Sequence, residues 1–162
     1  MSDPTKCSIY REARQRIAGL VSGLNDPIAA MASAAAVLFE ILPSASWVGF
    51  YRVVEPELLR IGPYQGPVGC LEIPFGKGVC GTAARERRTQ IVADVHTFPG
   101  HIACDSLALS EIVVPVLDDH GVLVAVLDLD SHHLAAFDRE DGEHLETIVS
   151  LLRSCITSQP SI

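Results

Sequence analysis

Three of the five cysteines, Cys70, Cys80 and Cys104, fall between Gly62 and Asp105, each where a loop meets a regular element. Cys70 follows the turn-rich run GPYQGPVG, Cys80 lies inside GKGVCG, and Cys104 closes PGHIAC. A thiolate is a nucleophile, and a second thiol within reach turns an oxidised cysteine into a reducible disulfide. The arrangement therefore predicts redox chemistry carried by a nucleophilic cysteine and a resolving partner. Cys7 reads as a residue of a mobile N-terminus and Cys155 as a buried filler of the last helix.

A second chemical group is acidic. Ser110–Leu117 and Val122–Asp130 are apolar runs joined at Asp118-Asp119-His120-Gly121, a hairpin signal. A loop with an even number of residues places Glu111 opposite Asp128, with Asp130 on the same face. Like charges facing each other destabilise a sheet, so something must compensate. Either a cation binds among the three, or a raised pKa keeps an acid protonated; the alternative is that the strand ends are frayed and solvated. His132 and His133 follow Asp130, but their spacing fits no zinc pattern and reads as a solvated turn.

The third group is aromatic. Ser46–Val54 reads as a strand in which Trp47, Gly49 and Tyr51 share one face and Val48, Phe50 and Arg52 the other. Two aromatics flanking a glycine form either a shallow slot or ordinary core beside a strand glycine.

The elements that position these groups follow from periodicity. Tyr10, Ala13, Ile17, Leu20, Val21 and Leu24 recur at helical spacing over Ile9–Leu24. Asp26 and Pro27 start a second, nearly all-apolar helix that Pro43 ends. Leu58–Ile61, Cys70–Pro74 and Thr89–Val92 read as short strands, and a helix begins near Val79. Gly76, Gly78 and Gly81 match GxGxxG, but without strand and helix alternation they serve a tight turn beside Cys80, whose thiol then faces the positive end of that helix. The loop Asp94–Ser106 carries His96, His101 and Cys104, and loops of that length are usually functional. Asp138 caps a final helix with the stripe Leu145, Ile148, Val149, Leu152, Cys155 and Ile156.

With 162 residues, 48% of them hydrophobic, the chain suffices for one domain with a substantial core. The net charge of −8 counts against nucleic acid, because Arg85, Arg87 and Arg88 form only a short helix-end cluster with Glu86 among them. No apolar run suits a membrane span. Neither an export signal nor an even cysteine framework is evident, so a cytoplasmic location with reduced thiols is expected.

Taken in order, WVGFY, GPYQG, IPFGKGVCGTAA, ADVHTFPGHIACD, SEIVVPV and LDLDS resemble the free methionine-(R)-sulfoxide reductases, enzymes built on a GAF domain. The resemblance runs from about Trp47 through the final helix. It implies a single mixed α/β (α+β) GAF-like domain over 1–162, with N-terminal helices over 1–45. A central antiparallel sheet flanked by helices, the active-site loops and the C-terminal helix would occupy 46–157. It implies a cytosolic homodimer that reduces free L-methionine (R)-sulfoxide, with thioredoxin as reductant and no cofactor or metal. Cys104 would be the nucleophile, Cys70 the main resolving thiol, and Cys80 a third cysteine able to form an alternative disulfide. Trp47 and Tyr51 would hold the methyl and sulfur end of the substrate, while Glu111, Asp128 and Asp130 would bind its amino group and handle the sulfoxide oxygen. Two positions depart from the family pattern: Tyr64 stands for a usual Phe, and Leu107-Ala108-Leu109 is more apolar than expected. Two other classes remain open from sequence, a ligand-sensing GAF module and a metal site built from His96, His101 and Cys104.

Overall fold

The computed structural model describes residues 5–157. Two helices come first, α1 (Lys6–Val21) and α2 (Pro27–Ile41). The Thr5 side chain caps α1 by accepting the N–H of Ser8, so this helix begins and ends about a turn before the expected Ile9–Leu24. Cys7 consequently lies on an exposed helical turn rather than in a mobile tail. Asp26 caps α2 as expected, accepting from Ile28 and Ala29 with Pro27 opening the helix.

Six strands follow with their helices: β1 (Trp47–Glu55), β2 (Leu58–Gln65), β3 (Glu72–Pro74), α3 (Gly78–Glu86), β4 (Gln90–Val92), β5 (Ser110–Leu117), β6 (Leu123–Ser131), α4 (Arg139–Ser150) and α5 (Arg153–Thr157). They form one sheet in the order β3-β2-β1-β6-β5-β4, every neighbouring pair antiparallel. β2 continues past Ile61 to Gln65, and β3 starts only at Glu72, which leaves Cys70 in the connecting loop and not on a strand.

Alternation divides the sheet into two faces. Val48, Phe50, Ile112, Val114, Leu127 and Leu129 pack with the buried stripes of α1, α2 and α4. Trp47, Tyr51, Val113 and Val126 turn the other way, toward Val79, Cys80 and Ala83 of α3. The final stripe survives the break between α4 and α5, with Leu152 and Cys155 fully buried. The thick helical layer thus anchors the sheet from behind, and the thinner α3 face is the one left for chemistry.

The β5–β6 hairpin differs from expectation. Leu117 faces Leu123 across a connection covering 118–122, and an irregularity between Val116 and Leu117 shifts the pairing. Asp118 causes this: its Oδ1 accepts the N–H groups of both His120 and Val122, and its own N–H donates to Val122 O, pulling Val122 into the turn. Glu111 therefore faces Asp130, and Asp128 faces Val113, in place of the expected pairing of Glu111 with Asp128. Because the displacement is an even number of residues, all three carboxylates still share one face.

At the back, Asp138 and Asp141 form a reciprocal capping box on α4. Asp141, 4% exposed, also accepts from the Tyr10 hydroxyl at 2.9 Å and from Lys6 Nζ at 2.9 Å, joining α1 to α4. The Lys6 hydrogen bond, with the N–H of Asp141, holds the Asp138 carboxyl down to about 2. Removing the buried hydroxyl leaves Asp141 Oδ1 without its donor. Tyr10→Phe should therefore cost about 1.5–3 kcal/mol and lower the melting temperature by roughly 3–10 °C without altering the chemistry of the opposite face. Thermal denaturation checks this, and an unchanged melting temperature refutes it.

Candidate active site

The register assembles the site in rows across the sheet. Trp47 on β1 faces Asp130 on β6, which faces Glu111 on β5. In the next row, Tyr64 on β2 faces Gly49, Gly49 faces Asp128, and Asp128 faces Val113. An aromatic end on β1 and β2 thus meets an acidic end on β5 and β6 on a single face.

The space above Gly49 is not an open slot. A Cβ there would lie 2.5 Å from the Trp47 ring, because the indole lies flat over this position. Trp47 stacks on Tyr64 at 5.3 Å and on Tyr51 at 5.9 Å between ring centroids, and its Nε1–H donates to Pro67 O at 2.9 Å. The glycine is what lets the indole lie down, so the aromatic wall is both core and site lining. Tyr51 is 1% exposed, and burial followed by the charge of Asp128 raises its pKa, which keeps the hydroxyl protonated.

The acidic end is buried as well: Glu111 is 7% and Asp128 5% exposed. Burial lifts Asp128 to about 7. Burial, reinforced by Asp128, pushes Glu111 and Asp130 well above the ordinary carboxylate range. All three shifts run toward the protonated acid, the second of the two compensations expected from the sequence. Asp128 Oδ1 is buried with no hydrogen-bond partner, an acceptor left open toward whatever occupies the site.

Cys70 and Cys104 are joined in a disulfide with Cα atoms 5.2 Å apart, closing the 66–71 loop onto the 98–109 loop. Cys80 is free, buried, and donates to Glu111 Oε1 at 3.9 Å. Burial first, then Asp128 and Glu111, raises its pKa, so the positive helix end expected to favour its thiolate is overridden. Gly81 lets α3 come this close, since a Cβ there would lie 3.1 Å from Gly76 N, within the turn that Gly76 N–H to Gly81 O closes at 2.7 Å.

Two cavities flank Cys104. One is lined by Cys80, His101, Ile102, Glu111, Asp128 and Asp130. The other is lined by Trp47, Tyr51, Pro67, Val68 and Gly69. Cys104, Asp105, Asp128 and Asp130 line both. A polar compartment and an aromatic one thus meet at one sulfur.

Two further lining residues are Asp105, which the sequence placed only in a long loop, and His101, which it offered as a metal ligand. Asp105 accepts from Leu107 N–H at 2.9 Å and contacts His132 Nε2 at 2.9 Å. Burial works against its charge, yet these two partners hold it below the usual carboxylate range, so it remains ionised beside the disulfide. His101 Nε2 stands 4.0 Å from Glu111 Oε2, and burial lowers its pKa. The trio His96, His101 and Cys104 does not form a ligand set here: His96 is exposed on Asp94, and the Cys104 sulfur is in the disulfide. The described residues that could share a metal are instead Cys80, Glu111 and Asp128, whose ligand atoms lie within 4.8 Å of one another.

Comparison with known proteins places this geometry. The GAF domain family matches residues 26–157. The chain is 37% identical over 153 residues to the free methionine-R-sulfoxide reductase of Escherichia coli, covering 94% of this chain and 92% of that protein. It is 41% identical over 145 residues to the free methionine-R-sulfoxide reductase of Saccharomyces cerevisiae, covering 85% and 81%. The X-ray structure of the free methionine-R-sulfoxide reductase of Neisseria meningitidis in complex with its substrate superposes with a TM-score of 0.91 at 43% identity, covering 98% of this chain and 94% of that one. With its sheet, helices and site-bearing segments spanned by these matches, the chain belongs to the free methionine-R-sulfoxide reductases, oxidoreductases built on a GAF domain.

Proposed function

We propose that the chain reduces free L-methionine (R)-sulfoxide to L-methionine, with Cys104 as nucleophile, Cys70 as the main resolving thiol and thioredoxin as the reductant. The observation that carries this reading is the Cys70–Cys104 disulfide set between an aromatic wall and three carboxyl groups whose pKa values burial raises. A sulfoxide sulfur becomes electrophilic when its oxygen is protonated or strongly hydrogen-bonded, so thiolate and acid must share a pocket.

The steps balance as follows. The Cys104 thiolate bonds to the substrate sulfur while a carboxyl proton goes to the oxygen. Transfer of that oxygen to Cys104 releases methionine and leaves a sulfenic acid. The Cys70 thiol then attacks Cys104 Sγ, expelling water and forming the disulfide, with Cys80 available as a second resolving thiol. Two electrons and two protons from a dithiol restore both thiols. Trp47 and Tyr51 would face the methyl and sulfur end of the substrate, and Glu111, Asp128 and Asp130 its ammonium and sulfoxide oxygen. We further place the protein in the cytoplasm as a homodimer, following the family resemblance. A sensing GAF module is the weaker reading, because simple ligand capture has no use for a bridged cysteine pair at the mouth of the pocket.

The assignment of the thiols is tested by substitution. Cys104→Ser should abolish reduction, whereas Cys7→Ser and Cys155→Ser leave it intact, one cysteine being exposed on α1 and the other buried at the back. Cys70→Ser should release a single methionine per active site and then turn over poorly with thioredoxin. Amino-acid analysis after incubation with separated sulfoxide epimers reads both outcomes, and an active Cys104→Ser would sink the assignment.

Selectivity for the free amino acid follows from the acidic end. Acetylating the substrate nitrogen removes its charge and a charge-assisted hydrogen bond of about 1.5–3 kcal/mol, so catalytic efficiency should fall by about one to two orders of magnitude or more. Equal efficiency on free and N-acetylated (R)-sulfoxide would show that the acids do not read the amine.

Binding should also release protons. An ammonium group among carboxyls whose pKa values are raised pulls those values down, so a proton leaves at pH near 7, where Asp128 is about half protonated. The release should fade as pH rises through the raised values, since the acids are then already ionised. Calorimetry of substrate binding to Cys104→Ser in buffers of different ionisation enthalpy measures it; a buffer-independent heat at pH 7 contradicts the electrostatic picture.

A further inference from the structure

The loops that carry the bridged cysteines expose four apolar side chains to water; Val68 and Ile102 also line the cavities, whereas Leu71 and Leu107 line neither. Val68 is 76% exposed, Leu71 67% and Leu107 64%, and Ile102 is 36% exposed. Val68 and Leu71 flank Cys70 in sequence, Ile102 and Leu107 flank Cys104, and the two cysteine Cα atoms are 5.2 Å apart. At most about 11 Å of chain separates each residue from its cysteine, so all four lie near the disulfide. Gly69, between Val68 and Cys70, instead tucks inward, 3.0 Å from the Tyr51 hydroxyl when a Cβ is placed on it. Leu71 and Leu107, outside both cavities, keep most of their apolar surface in water, which is costly unless something covers them.

The two sulfurs are not equivalent. Cys104 lines both cavities and Cys70 lines neither. Of the charges nearest Leu71, Glu72 is already paired with Arg60 at 2.7 Å, so recognition here rests on apolar contact rather than on a free charge. A second copy of the chain seated permanently on this surface would cover Cys70 and stop the disulfide being reopened. The occupant has to arrive, react and leave, and redox encounters of that kind use small interfaces.

Resting on the reductase reading above, we propose that Val68, Leu71, Ile102 and Leu107 form the docking face for a protein dithiol reductant, whose entering thiolate bonds to Cys70 Sγ. The Cys70–Cys104 bond breaks, and Cys104 departs as the thiolate, returned to the pocket where substrate binds. The second thiol of the reductant then attacks its own sulfur in the mixed disulfide, forming the reductant's disulfide and freeing Cys70, which takes up a proton. The reductant loses two electrons and the Cys70–Cys104 pair gains them.

The test uses Leu71→Ser combined with Leu107→Ser, two positions outside both cavities, and compares turnover driven by thioredoxin with turnover driven by dithiothreitol. The expected result is a loss of at least tenfold in kcat/KM for thioredoxin, with the dithiothreitol rate and the KM for sulfoxide unchanged. The paired Met substitutions should keep the thioredoxin rate near that of the wild type. Thioredoxin lacking its resolving cysteine should be trapped on Cys70 in a mixed disulfide. Unchanged thioredoxin kinetics, an equal loss with both reductants, a change in sedimentation that tracks the loss, or trapping on Cys104 would each overturn the proposal. A wild type inactive with dithiothreitol would instead overturn the reductase reading itself, so the two failures are distinguishable.

Discussion

The structure depends on a conflict between charge and burial at the centre of its sheet. Glu111 faces Asp130 across the β5–β6 ladder, and Asp128 sits two residues along the same face. Strands at an edge could relieve such crowding by fraying into water. These cannot, because β6 and β5 lie inside the sheet and their other face is packed with Ile112, Val114, Leu127 and Leu129, all 0% exposed. The acids are left with protonation or a cationic partner, and burial raises all three pKa values toward the protonated form. That compensation supplies an acid next to a sulfur and leaves Asp128 Oδ1 open as an acceptor.

The aromatic end answers the same geometry from the neighbouring strand. Trp47 is in register with Asp130, and Gly49 with Asp128, so the indole folds over the glycine beside the acids rather than standing away from them. The hydrogen bond from Nε1 to Pro67 O fixes the ring and also holds the loop that leads to Cys70. One contact therefore links the strand-borne wall to the loop-borne thiol. Asp105 does the same on the opposite side, tying the residue next to Cys104 to His132 just beyond β6.

What was legible in the sequence was whatever a period or a local cap writes down. Helix α2 followed from Asp26 and Pro27, α4 from Asp138, and the two faces of β1 from strict alternation. The common face of the three acids was legible too, since parity survives any even displacement. The partner of Glu111 was not, because it hinged on Asp118 drawing Val122 into the turn, a side-chain contact that no hydrophobic pattern encodes. For the same reason the indole lying over Gly49 and the roles of Asp105 and His101 stayed hidden. The protonation of Cys80 depended on how deeply it is buried, and its place at the start of α3 pointed the other way. The pairing of Cys70 with Cys104 could be expected only by resemblance, since three cysteines allow more than one bridge.

This division between strands and loops bears on how a redox cycle can run on one site. The groups that must keep their positions, the carboxyls and the aromatic wall, sit on β1, β5 and β6, backed by the helical layer. The groups that must exchange partners, the Cys70 and Cys104 sulfurs, sit on connections, where a change of bonding moves few packed atoms. In the cycle proposed above, Cys104 reaches the substrate sulfur in one step and Cys70 in the next, while the acids stay fixed so that protonation of the oxygen coincides with attack. A disulfide built between two strands of this sheet would require the sheet itself to shift by the difference between a bond and a contact. Placing the thiols at the loop ends confines that displacement to 66–71 and 98–109 and leaves the electrostatics of the pocket in place for the next substrate.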